Sequence, residues 1–151
     1  MIDFMSPAGI VPNLRAGSKK QALHELSRKA SEITGISDRT IFDVLLDREK
    51  LGSTGVGRGV AIPHGRLPSL SRVYGVFARL ERAIDFDAVD DQPVDLIFLL
   101  LAPADAGADH LKALAKVSRL MRDEGLCAKL RGCESAEAIY ALLSHNSASV
   151  A

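Results

Sequence analysis

Gly52-Ser53-Thr54-Gly55-Val56-Gly57-Arg58-Gly59, continuing as Val60-Ala61-Ile62-Pro63-His64-Gly65-Arg66, decides what kind of fold this chain can adopt. Four glycines in eight residues exclude a stable helix over 52–59, because each glycine loses backbone entropy on ordering and permits positive φ. Val60 to Ile62 then predict a brief strand, ended by Pro63, which has no N–H to give a ladder. His64 follows that proline directly and is flanked by glycines at 59 and 65, in a place where backbone comes close and side chains are few.

Helices lead into this stretch. Ser18 with Gln21 three residues on is a capping-box signature, and Leu23, Leu26, Ala30 and Ile33 recur behind it at helical spacing, to about Thr34. Gly35 stops that helix, and Ser37 caps a second with Ile41, Val44, Leu45 and Leu51 among its apolar positions. Before them, residues 10–16 read as a short extended start broken by Pro12.

Strands lead out of it. Val73 to Leu80 predict one, and Val94 to Leu101 a strongly apolar other that lacks alternation and so is buried on both faces. Pro103 to Asp109 form a loop, and His110, Leu111, Leu114, Val117, Ser118 and Met121 repeat at helical period after it. Two shorter helices near 124–131 and 136–144 close the chain, with 146–151 frayed. There is no internal repeat and no linker. The residues therefore predict one α/β domain over 1–151.

Composition narrows the function. Nineteen basic residues balance nineteen acidic ones, and seven aromatics without tryptophan offer few bases a stacking partner, which argues against a nucleic-acid binder. No apolar run approaches the ~20 residues of a membrane span, and Met1-Ile2-Asp3-Phe4 does not open a signal peptide, so no membrane insertion and a cytoplasmic protein are expected. Cys127 and Cys133, six apart, fit no metal spacing and read as reduced thiols.

The candidate chemistry centres on His64. Neutral imidazole is a nitrogen nucleophile, with an ordinary pKa of about 6.5. On spacing alone, a loop histidine satisfied by its surroundings remains open. Arg48, Arg58 and Arg66 lie around it in sequence, and guanidinium forks with loop amides can meet the charge of a phosphoryl group, although each arginine also fits a solvated face. His110 opens a helix above its inward face, at the positive end of the helix dipole, where a capping or core-edge role is the alternative. His24 and His145 read as surface residues. The glycine stretch fails as a Walker A because Arg58 and Gly59 replace the required Lys and Ser/Thr, and as a nucleophile elbow because Leu51 occupies the first glycine position. It fails G-x-G-x-x-G at Val60, and no third ligand completes a zinc site with His64 and His110.

The run from Arg48-Glu49-Lys50-Leu51 through the glycine stretch to His64-Gly65-Arg66 resembles the active-site signature of the fructose/mannitol-type IIA domains of the phosphotransferase system, and within them the free-standing nitrogen-regulatory proteins. Ser18-Lys19-Lys20, the segment 86–96 and Ala102-Pro103-Ala104-Asp105 leading to His110-Leu111 extend the resemblance over about 10–145. It implies a mixed β-sheet flanked by helices. It implies His64 as the phosphorylated histidine, Arg48 as the arginine supporting the phosphoryl group and His110 as the second active-site histidine, with Ser53 and Thr54 as supporting hydroxyl positions; Arg66, two residues after His64, is expected to support the phosphoryl group through its charge. The role of Arg58 stays open, since relatives often carry a neutral polar residue there. The donor would be a phosphohistidine carrier of the HPr or NPr type and the recipient an unidentified regulatory target, with no cofactor and no metal. A sugar-uptake IIA handing phosphate to a IIB partner, and a binding module in which His64 is never phosphorylated, are the rival readings; a hydrolase lacks its triad context. For docking, Val56, Ile62 and Leu67 are the expected apolar rim of the site.

Overall fold

A computed structural model describes residues 3–147. In chain order the elements are β1 (Ile10–Leu14), α1 (Lys19–Thr34), α2 (Asp38–Lys50), β2 (Gly55–Gly57), β3 (Val60–Ala61), β4 (His64–Leu67), β5 (Tyr74–Ile84), β6 (Val94–Pro103), α3 (Ala108–Arg122), α4 (Glu124–Arg131) and α5 (Ala136–Ser147). Six strands form one mixed sheet in the order β1-β5-β6-β3-β2, with β4 also paired to β6. β5 and β6 are antiparallel, β1 runs parallel to β5, and β3 and β4 both run parallel to β6.

The unbroken apolar run of β6 has a direct cause: it is the sheet's centre. Leu96, Phe98 and Leu100 pack on one face with Val117, Leu120, Leu126, Leu130 and Leu143 of α3, α4 and α5. Ile97, Leu99 and Leu101 point the other way, into a core with Leu23, Leu26, Ile41 and Leu45 of α1 and α2. Both faces are covered, so alternation has no polar side to show.

Local signals hold, with adjustments. Ser18 Oγ accepts from Gln21 N–H at 3.1 Å, while the Gln21 side chain returns to Gly17 N–H at 2.7 Å rather than to the cap residue itself. Gly35 ends α1 at φ 78°. Ser37 precedes α2 without a side-chain capping bond. Pro12 does not break the first strand: β1 lies at the sheet edge, where its missing N–H falls at a shift of register between Val11 and Leu14. Helix α5 runs on to Ser147, so the expected fraying from 146 is not seen at 146 and 147, and 148–151 lie outside the described residues.

The glycine stretch folds into a hairpin. Gly57 pairs with Val60, and Arg58 at φ 58° with Gly59 at φ 80° supply the two positive φ values of the turn between them. Pro63 interrupts the ladder for one step instead of ending it: its carbonyl accepts from Leu100 N–H at 3.0 Å, and β4 then resumes alongside β6 with His64 opposite Leu100. His64 is therefore a strand residue, not a loop residue. One residue on, a Cβ at Gly65 would lie 2.5 Å from Val44 Cγ1, so only bare backbone lets α2 pack against β4 this closely.

Candidate functional site

Strand alternation sends His64 and Arg66 to one face of β4, and the parallel register with Leu100 and Ala102 turns that face toward α3. His110, in the first turn of α3, meets His64 with ring centroids 5.8 Å apart and planes tilted by 49°. From the other flank, the last turn of α2 brings Arg48. Together with Leu51, Leu111 and Leu114 these residues line an open depression of about 460 Å³ beside β4.

The geometry at His64 determines which ring nitrogen keeps a free lone pair. Nδ1 lies 2.9 Å from the carbonyl oxygen of Ile62. A carbonyl only accepts, so Nδ1 carries the hydrogen, and in the neutral ring the lone pair then resides on Nε2. Arg48 Nη1 donates to Gly52 O at 2.9 Å, and no other hydrogen bond among the described residues occupies its guanidinium. Arg66 makes a long 3.5 Å contact to Ala104 O and is otherwise exposed. Asp47 also lines the depression, with its carboxylate 3.6 Å from Lys50 Nζ.

His110 is only 5 % exposed, and its Nδ1 has no hydrogen-bond partner. Burial above all, and then the positive charges of His64 and Arg66, hold its pKa below the ordinary imidazole value. It is thus a neutral ring beside His64 at pH 7, in the first turn of a helix whose dipole favours an anion.

Two expected supporting residues, Ser53 and Thr54, and Arg58, whose role was open, lie away from the depression. Ser53 Oγ donates to Phe86 O at 2.7 Å and accepts from Gly55 N–H at 3.0 Å, while buried Thr54 donates its hydroxyl to Glu49; neither lines the depression. Arg58 sits in the hairpin turn at the opposite end of the strand, its N–H on Asp90 Oδ2 and its carbonyl held by Arg131. The expected rim also changes. Ile62 and Leu67 are buried in the two cores, and Val56, though exposed, does not line the depression. Leu51, 85 % exposed, and Leu111, 62 % exposed, form the rim instead. Leu51, by sequence one of the apolar positions of the second helix, lies one residue past α2 and so leaves its buried stripe.

His64, held by a backbone carbonyl, thus faces a second histidine and an arginine carried by the flanking helices. Residues 3–146 match the model of the phosphoenolpyruvate-dependent sugar phosphotransferase system EIIA 2 family. The chain belongs to that family. A nitrogen regulatory protein of Bradyrhizobium diazoefficiens is 59% identical over 142 residues, covering 94% of this chain and 93% of the relative. The crystal structure of the nitrogen regulatory protein IIA-Ntr from Neisseria meningitidis superimposes with a TM-score of 0.88 at 38% identity, over 93% of this chain and 97% of that one. The mannitol IIA of Escherichia coli shares the fold, with a TM-score of 0.77 at 20% identity over 91% of this chain and 97% of that one. This EIIA 2 member is accordingly a homologue of the nitrogen-regulatory proteins, within a family of phosphotransfer components. Among the described residues no helix is long and apolar enough to cross a membrane.

Proposed function

We propose that this protein is a cytoplasmic regulatory phosphocarrier of the nitrogen-related phosphotransferase branch, a single EIIA domain over residues 1–151, which takes a phosphoryl group on His64 Nε2 from a phosphohistidine carrier of HPr or NPr type. The observation that carries the reading is the Nδ1–H bond to Ile62 O, which leaves the Nε2 lone pair free beside Arg48, Arg66 and His110. In the transfer, that lone pair forms the new N–P bond in line with the breaking one, and the electron pair of the broken bond returns to the donor's ring. Little covalent chemistry falls to the protein, so positioning and charge supply the catalysis.

Arg48 offers its unoccupied N–H groups as a fork to two phosphoryl oxygens, and Arg66 adds a second cation. Neutral His110 donates one hydrogen bond. Leu51 and Leu111 give a donor protein an apolar ledge, suited to a small, short-lived interface. Relatives named as nitrogen regulatory proteins support a signalling output, delivered to a regulatory target whose docking depends on the charge at His64.

Incubation with phosphoenolpyruvate, enzyme I and an HPr-type carrier, followed by intact-mass measurement, should add one phosphate. A protein that stays unmodified would overturn the phosphocarrier reading in favour of a binding module.

A further inference from the structure

Glu49 follows Arg48 in sequence but faces inward, its side chain 4 % exposed. A carboxylate taken this far out of water is stable only if its lone pairs are occupied. Three donors occupy them. Lys19 Nζ, at the first turn of α1, lies 2.9 Å from Oε1; the Thr54 N–H donates to the same oxygen at 3.0 Å; and the Thr54 hydroxyl donates to Oε2. Lys19 is itself fixed, 3.6 Å from Asp87 and 4.9 Å over the ring of Phe86.

What Glu49 grips then reaches both sides of the site. Thr54 O accepts from Ile62 N–H at 2.9 Å, and Ile62 O accepts from His64 Nδ1, also at 2.9 Å. On the other branch, Thr54 ends the short loop that presents Gly52 O to Arg48 Nη1, and Gly52 N–H is bonded at 3.1 Å to the Glu49 carbonyl. Through Thr54, the buried carboxylate thus anchors the acceptor that orients the His64 ring, while the main chain of Glu49 holds the loop whose Gly52 carbonyl accepts from Arg48.

We infer that Glu49, with Lys19 and Thr54, is a positioning residue for phosphoryl transfer: it holds Ile62 O where His64 must keep its hydrogen on Nδ1, so that Nε2 faces the donor. It touches no reacting atom. The transfer part of the inference rests on His64 being the acceptor, whereas the orientation part concerns the unphosphorylated ring alone. Misplacement by about 1 Å can cost on the order of a hundredfold in such reactions, and a partial loosening correspondingly less.

The test compares Glu49→Gln, Thr54→Val and Thr54→Ser in the full chain. Long-range 1H–15N spectra of His64 should show a single tautomer, hydrogen on Nδ1, in the wild type and in Thr54→Ser, and a mixture in Glu49→Gln and Thr54→Val. With a phosphorylated HPr-type carrier as donor, Glu49→Gln should lower the maximal transfer rate about tenfold and leave half-saturation by the carrier within twofold. Thr54→Val should move the same way by less, and Thr54→Ser should restore wild-type behaviour. An unaltered tautomer in the Gln and Val variants, or an unaltered rate in them beside an active wild type, overturns the inference. Should Glu49→Gln fail to fold, the Thr54 pair decides. A wild type that accepts no phosphate refutes the phosphocarrier reading, and the tautomer comparison still decides what Glu49 does.

Discussion

The two ends of the strand path that runs beside β6 carry similar cations and put them to opposite uses. At the hairpin end, Arg131 Nε reaches both oxygens of Asp95 at 3.0 and 2.9 Å, its Nη2 holds Arg58 O at 2.9 Å, and Arg79 Nε closes on Arg131 O at 2.9 Å. Those guanidinium groups are engaged, and they bind the hairpin turn to α4 and β6. At the His64 end, Arg48 makes one hydrogen bond, Arg66 a long one, and His110 Nδ1 none. A cluster of arginines becomes an anion site only where donors are left unsatisfied; elsewhere it is a rivet.

The sharpest attempt to break this contrast is His64→Ala. It should abolish phosphate uptake while the fold persists, because the half-buried ring at the edge of β4 contributes little packing. Uptake at another residue, read by intact mass, would show that the unsatisfied donors do not mark the acceptor. Next in size, Arg48→Ala should slow transfer by more than about a hundredfold and His110→Ala by roughly 10–100-fold, less than in a fully enclosed site. Arg48→Lys should recover only part, since a point charge replaces a fork. Quench-flow from a phosphorylated carrier measures all three, and rates within twofold of wild type would remove both residues from the site.

The hairpin end provides the opposite outcome. Arg131→Ala should cost about 1–2 kcal/mol of stability, reduced because Asp95 and Arg131 are about a third exposed, and should leave transfer within twofold. Denaturant midpoints and transfer rates measured side by side would expose any hidden coupling between the two ends.

The smallest effect is a pH signature. His110 has its pKa held down in the folded state, so the unfolded chain protonates first as pH falls below about 6.5. The stability present above that value is then lost as pH falls on through the folded pKa. A dianionic phosphoryl group on His64 should reverse the electrostatics and raise the His110 midpoint. NMR titration with and without phosphate would detect it, and an unmoved midpoint would place His110 out of reach of the phosphoryl charge.

Much of this was legible in the chain itself, for identifiable reasons. Strand β6 announced its two-sided burial through an unbroken apolar run, α4 came at its observed limits, and Gly35 marked the end of α1. His64 and His110 were both singled out before their 5.8 Å approach was visible. Ile62 and Leu67 misled because an apolar strand residue looks the same whether it faces a partner or the core; the interruption at Pro63 and the register on β6 decide which. Leu51 misled for a related reason: helical periodicity continues on paper for one residue after the helix has stopped. Arg58 resembled a site residue by proximity in sequence, and the hairpin carries it to the far end of the strand.

Gly65 gives the site its calibration. Because α2 rests on bare backbone there, with Val44 Cγ1 only 2.5 Å from where a Cβ would stand, the gap between the helix that carries Arg48 and the strand that carries His64 is a contact between main chain and side chain with nothing interposed. A gauge of that kind has no adjustable shim. Substitutions elsewhere can alter the charge or the rim of the site, but its width changes only if helix and strand part company.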